Sequence, residues 1–367
     1  MANTIPLSDV LALEDRTQPN AAIVEGFTRT NAVDVVRVGV IGFGNWGPNI
    51  VRNLQSLERG EVVTICDRNP AVLRGAARMH RGVQVTTDPC EVLSSPDIDA
   101  VAVITPVRTH FDLAKAALQQ GKHVFVEKPF TSTTAQAEEL IELADRKNLR
   151  IMVDHTFLFS GAVMKIRSLV DSGALGTLYY FDSTRGNLGL LQHDINVVWD
   201  LAPHDLSILD HIIFERPQAV VTTGGNHLNG MADVAFITIY FPDNLIAHVN
   251  VNWLSPVKTR TTLIGGENKM LVWNDLEADE KIKIYDKGAK IVEPRDVHDH
   301  LVSYRSGDVW VPKVQHTEAL KVELDYFVDC ILNSRTPCND GAAGLRVLRL
   351  LEAADQSLQQ RGKIVTF

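Results

Sequence analysis

From Val35 onward, short continuous apolar runs alternate with stretches of helical period. V-V-R-V-G-V-I is long enough for one buried strand, and N-I-V-R-N-L-Q-S-L after it repeats its apolar positions as a helix does. V-V-T-I-C is a second strand, followed by a helix start at Asn69 and Pro70. The run D-A-V-A-V-I-T, the helix F-D-L-A-K-A-A-L and the strand H-V-F-V-E-K-P come next. Thr133 and Gln136 have capping-box spacing ahead of A-E-E-L-I-E-L-A, and R-I-M-V-D closes the series as another strand. Such alternation over about a hundred residues predicts a parallel sheet with helices on both faces.

Past His155 the texture changes. The helix A-V-M-K-I-R-S-L-V-D-S-G ends at a glycine, and T-L-Y-Y-F-D-S-T-R reads as a strand. A polar, glycine-punctuated loop leads into a helix carrying W-D-L-A-P-H-D-L-S-I-L-D. The strands A-V-V-T-T, V-A-F-I-T-I-Y-F, I-A-H-V-N-V-N-W and T-T-L-I-G then follow one another with little helix between them. Strands joined by turns predict a mostly antiparallel open sheet. Two helices, around 322–332 and 343–358, close the chain. The expected fold class is therefore α/β: an N-terminal Rossmann doubly wound parallel sheet, residues 35–155, and a C-terminal α/β domain, residues 156–367. Residues 1–34, which include Asp9, Glu14, Asp15 and Arg16 and lack an apolar core, are expected to be a loosely ordered leader.

Composition narrows the partners. At 367 residues with 45% hydrophobic positions, the chain can bury two cores. A net charge of −9 disfavours a nucleic-acid partner, while helix N-termini can still hold an anionic cofactor. Cys66, Cys90, Cys330 and Cys338 form no CxxC pair, so reduced thiols and a cytoplasmic location are expected. No run of eighteen apolar residues occurs, so no membrane span is expected.

The strongest local signal is G-V-I-G-F-G-N-W-G, in which Gly42, Gly44 and Gly47 have the GxGxxG spacing. The motif follows a buried strand and opens a helix, so Phe43, Asn45 and Trp46 between the glycines would also face a dinucleotide. Asp67 lies twenty residues after Gly47, at the end of the next strand, where a carboxylate accepts from ribose hydroxyls. A 2′-phosphate beside it would be repelled, which favours NAD over NADP. Arg68 pulls the other way: it could stack on adenine or meet that phosphate.

Three features suggest chemistry. Glu127, Lys128 and Pro129 end a parallel strand, on the sheet edge where such folds bind ligands, and the Lys128–Pro129 bond can be cis. Asp200 and His204 stand one helical turn apart, so a carboxylate could orient or stabilise an imidazole suited to proton transfer, with Asp205 pointing elsewhere. Taken alone, the pair is equally a capping aspartate with an incidental histidine. In the segment R-G-N-L-G-L-L-Q-H-D, Arg185, Asn187, His193 and Asp194 suit a polyhydroxylated or acidic substrate and equally suit ordinary loop polar groups, and no spacing rule separates the two. A metal site from His193, Asp194 and His204 fits no standard spacing, and acid–base use is the better reading. Trp253, Lys258 and Arg260, in N-W-L-S-P-V-K-T-R, either line the substrate side or build the sheet; their alternation, as in a half-buried strand, favours sheet.

Together these residues resemble the glucose–fructose oxidoreductase/inositol dehydrogenase (Gfo/Idh/MocA) family. The resemblance runs from about Arg37 to the C-terminus. It rests on the glycine motif, I-T-P-V-R-T-H at 104–110, E-K-P and Asp200-x-x-x-His204. It implies Lys128, Asp200 and His204 as the catalytic trio and Thr105, Pro106 and His110 beside the cofactor, with Glu127 and Lys128 near the nicotinamide ribose. It also implies a homodimer or homotetramer formed through the second sheet. D-I-N-V-V-W stands where many relatives carry a glycine-rich stretch, which leaves the substrate open. The function implied is NAD(P)-dependent hydride transfer with a secondary alcohol of a cyclic sugar, nucleotide sugar or related polyol. The alternatives are a reductase of a conjugated non-sugar substrate and a non-catalytic sensor of NAD(H) or sugar.

Overall fold

The computed structural model describes residues 35–189, 195–228, 230–291 and 302–367. The expected leader, His193 and Asp194 lie outside them. Two sheets organise the described chain. In the first, β1 (Val36–Ile41), β2 (Gly60–Cys66), β3 (Gln84–Thr86), β4 (Ala100–Val103), β5 (His123–Val126) and β6 (Ile151–Val153) are ordered β3-β2-β1-β4-β5-β6. Every pairing is parallel. The strands are almost wholly apolar because helices cover both faces: Val38, Val40, Val101, Val103, Val124 and Phe125 are buried. The crossovers include α1 (Gly47–Gln55), α2 (Pro70–Met79), α3 (Pro89–Ser94), α4 (His110–Gln119) and α5 (Thr134–Lys147). Local chemistry starts two of them. Asn69 accepts from Ala71 N ahead of Pro70, and Thr133 accepts from Gln136 N while Gln136 Oε1 accepts from Ser132 N.

The second sheet has nine strands. β7 (Leu178–Gly186), β8 (Ala219–Gly225), β9 (Val234–Tyr240), β10 (Ile246–Asn252), β11 (Thr259–Gly266), β12 (Met270–Asn274), β13 (Ile282–Ile291), β14 (Val302–Trp310) and β15 (Val365–Thr366) are ordered β14-β13-β12-β11-β7-β10-β9-β8-β15. All pairings are antiparallel except β7 with β10. α7 (Val197–Ile212) packs on β7, β9 and β10 of this sheet and on α6 (Gly161–Asp171), and is capped by Asn196, which accepts from Val198 N and Trp199 N.

The C-terminal helices reach back to the helices of the first sheet. α8 (Ala319–Leu332) packs on α1, and α9 (Gly341–Gln359) packs on α5, α7 and β8. Polar ties fix this return: Arg52 to Glu318, Arg59 to Asp329, and Glu352 accepting from Thr134 N. The end of the chain thereby braces the cleft between the sheets. All four cysteines are free, and among the described residues no helix is long and apolar enough to cross a membrane.

Candidate active site

The order 3-2-1-4-5-6 reverses direction between β1 and β4, which opens a crevice at their carboxyl ends. The glycine loop sits there. Gly42 has φ +103°, and a Cβ on it would lie 2.1 Å from the Ile104 carbonyl oxygen, so only glycine brings the two strand ends this close. A Cβ on Gly47 would meet the Gly42 oxygen at 2.5 Å, whereas one on Gly44 meets nothing within 4 Å. The second glycine therefore faces open space beside the start of α1. That is the approach a pyrophosphate needs, and the residues present fit a nicotinamide dinucleotide.

Its neighbours divide by what they can offer. Asn45 and Trp46 are exposed, but the Phe43 ring is buried edge-on to His80, so only its backbone faces the crevice. Asp67 accepts from Phe43 N and Asn69 N, each at 2.8 Å, which sets its carboxylate against the loop; Arg68 is exposed beside it. Thr105 and Pro106 follow β4. His110 corrects an expectation: it is 1% exposed, and its two ring nitrogens meet the carbonyls of Pro129 (2.9 Å) and Thr105 (2.6 Å). It ties two loops together behind the crevice, and burial lowers its pKa.

Lys128 and α7 meet across the cleft, at a cis Lys128–Pro129 bond. Lys128 Nζ donates to the Asp200 carbonyl at 2.8 Å and lies 3.5 Å from Asp200 Oδ1. Asp200 Oδ2 accepts from Trp253 Nε1 at 3.1 Å. The carboxylate thus steadies the lysine and is itself held by a buried indole; no hydrogen bond joins it to His204. Trp253 is 2% exposed, and although its local sequence favours sheet, its indole reaches the Asp200 carboxylate. His204 packs edge-on to Phe157 at 5.1 Å, and its Nδ1 is buried without a partner. Burial, then the charges of Lys128, Arg185 and Arg260, lower its pKa well below the ordinary value, so the ring is neutral.

Arg185 does not reach into the loop. It is 5% exposed on β7 and grips Asp205 through Nε–Oδ2 (2.6 Å) and Nη2–Oδ1 (3.2 Å), which is where Asp205 points. Asn187 follows β7, its amide bonded to the Asn252 carbonyl.

Behind Lys128 lies an enclosed acidic group that the local motifs do not reveal. Glu127 Oε2 is buried without a partner, and burial, reinforced by Asp154, pushes its pKa up to about 8. Asp154 accepts from Trp46 Nε1 at 3.1 Å and from Thr156 Oγ1. Glu323, from α8, accepts from His155 N (3.0 Å) and Asn339 Nδ2 (2.9 Å). Its other oxygen, Oε2, is buried without a partner, and burial, then the nearby Asp154 carboxylate, raises its pKa well above the usual range; burial raises that of Asp154 as well. His155 is 2% exposed with both ring nitrogens unpartnered, and burial lowers its pKa to about 3. Among the described residues no cluster of three or more metal-ligating side chains occurs.

Comparison with known proteins decides the family. Residues 36–155 match the model of the oxidoreductase family with an NAD-binding Rossmann fold, and 163–272 match the Gfo/Idh/MocA C-terminal domain. The chain belongs to the Gfo/Idh/MocA family. It is an oxidoreductase with an NAD-binding Rossmann domain. It is 26% identical over 320 residues to the UDP-N-acetylglucosamine 3-dehydrogenase of Acidithiobacillus ferrooxidans, covering 85% of this chain and 94% of that protein. It is also 26% identical to the scyllo-inositol 2-dehydrogenase (NAD(+)) of Bacillus subtilis, covering 82% and 88%. The solved structure of the former superposes with a TM-score of 0.74 at 24% identity, over 88% of this chain and 97% of that one.

Proposed function

We propose that this family member oxidises, reversibly, a secondary alcohol on a cyclic sugar, nucleotide sugar or related polyol. NAD would supply the hydride acceptor and would lie along the glycine loop, with Asp67 accepting from the adenosine ribose and Thr105, Pro106 and Glu127 flanking the nicotinamide end. The observation that carries the reading is the convergence of Lys128, Asp200 and a neutral His204 at the cleft. His204 takes the hydroxyl proton as general base and returns it in reduction. Lys128 donates to the reacting oxygen and steadies the charge developing there. Asp200 holds Lys128 in place rather than orienting the imidazole, because its carboxylate is shared between the ammonium and the Trp253 indole.

In this reading residues 35–155 bind the cofactor and residues 156–367 carry the substrate wall and an oligomer surface. On β9 and β10 the outer face presents Phe236, Tyr240 and Ile246, each about two-fifths exposed, which suits a homodimer or homotetramer formed sheet to sheet. Four unbridged cysteines suit a cytoplasmic setting.

The test is a fluorescence titration with NADH and NADPH, followed by a screen of cyclic polyols, sugars and nucleotide sugars for absorbance change at the nicotinamide band. NADH binding tighter than NADPH, with turnover on a cyclic polyol or sugar, supports the proposal. A folded protein that binds NADH but turns over only planar conjugated substrates would replace it with the reductase reading.

A further inference from the structure

Arg185 and Arg260 are directly opposed partners in the antiparallel pairing of β7 with β11. Directly opposed residues project from the same face of a sheet, and like charges in that position destabilise it. Both guanidinium groups also lie over one aromatic ring. The Arg185 Cζ is 4.6 Å and the Arg260 Cζ 5.6 Å from the centre of Phe157, the ring that meets His204 at 5.1 Å.

The two arginines are neutralised unequally. Arg185 is buried and held by two bonds to Asp205. Arg260 has a side chain 34% exposed and makes a single 3.3 Å contact, Nη1 to Asp275 Oδ2. Asp275 is itself shared, since Lys281 Nζ lies 3.5 Å from its Oδ1. The ion pairs of Lys128, Arg185, Arg260 and Lys281 set four cations against three carboxylates, Asp200, Asp205 and Asp275. One positive charge is left over, and it falls on the pair that includes the more open arginine. Arg260 and His204 both pack on the Phe157 ring, so the more open arginine lies near the proposed reacting centre.

We propose that Arg260 is a specificity-determining residue that receives an anionic group of the substrate, a carboxylate or a phosphate, through the guanidinium donors not used by Asp275. Such a group would supply the missing negative charge between opposed arginines, and the planar fork suits either oxyanion. A neutral polyol leaves the surplus uncompensated. The inference rests on the dehydrogenase reading and adds the charge of the substrate to it.

The test uses the full-length, NAD-loaded protein and calorimetric titration with D-glucose, D-glucuronate and D-glucose 6-phosphate. At least one of the two anionic sugars should bind about tenfold or more tightly than glucose, as expected for charge-assisted hydrogen bonds. Glucuronate as the tighter ligand identifies a carboxylate, and glucose 6-phosphate a phosphate. The ratio of anionic to neutral affinity should fall about tenfold in Arg260→Gln and recover in part in Arg260→Lys. Equal affinities in the native protein, or the same ratio in Arg260→Gln, would overturn the proposal. NADH affinity, measured first in every protein, reports on the dehydrogenase reading separately: the anion ratio can fail while NADH still binds.

Discussion

Trp253→Phe removes one donor and little else. The indole Nε1 lies 3.1 Å from Asp200 Oδ2, the ring is 2% exposed, and the same carboxylate is 3.5 Å from Lys128 Nζ. Phenylalanine keeps an aromatic ring in the space and deletes the N–H. A hydrogen bond to a charged group contributes about 1.5–3 kcal/mol, and a carboxylate freed of it can rotate away from the lysine. If all of that loss is felt in the transition state, kcat/KM should fall about ten- to a hundred-fold. The assay is steady-state turnover on whichever polyol or sugar the screen identifies, with NADH affinity as the check on folding. A double-mutant cycle makes the argument sharper. If the indole acts only through Asp200, then Trp253→Phe should add almost nothing once Asp200→Asn is present. Fully additive losses would refute the positioning role and return Trp253 to the sheet.

Two further outcomes follow from burial. Asp205→Asn leaves the Arg185 charge buried without its partner, since the two side chains are only 4% and 6% exposed; unfolding by urea should show a loss of about 3–5 kcal/mol, and a loss below about 1 kcal/mol would mean water reaches the pair. Glu127 has a folded pKa raised from its ordinary value to about 8, so the folded protein holds a proton that the unfolded chain has released. Its stabilising effect is complete below about pH 4.5 and is lost as the pH rises to about 8. Glu127→Gln should therefore flatten the fall of Tm over that window, and an unchanged slope would mean the carboxyl is ionised in the folded protein.

The parts of the site readable in advance were those written in contiguous residues. The glycine loop announces itself because a wholly buried strand precedes it and a helix follows, and Asp200 with His204 because one helical turn separates them. What escaped was contact across the fold. Trp253 meets Asp200 from 53 positions away, Arg185 finds Asp205 by strand-to-helix packing, and Glu323 reaches His155 only because α8 returns to the first sheet. No local periodicity encodes such distances, so neither the Asp205 partner of Arg185 nor the Asp200 partner of Trp253 is legible in the local sequence. The strands β13 and β14 were missed for a different reason. β14 forms the outer edge of the sheet with nearly every residue exposed, and an exposed edge strand carries no apolar alternation to read.

In the proposed mechanism a neutral His204 moves the proton while the Rossmann loop holds the nucleotide. It is tested most directly by single-turnover hydride transfer in the native protein and in His204→Ala, with NADH affinity measured in both. The account predicts a rate lower by about 10²–10⁴-fold in the variant with NADH binding within about twofold of native. Equal rates would contradict it and remove His204 from the chemistry.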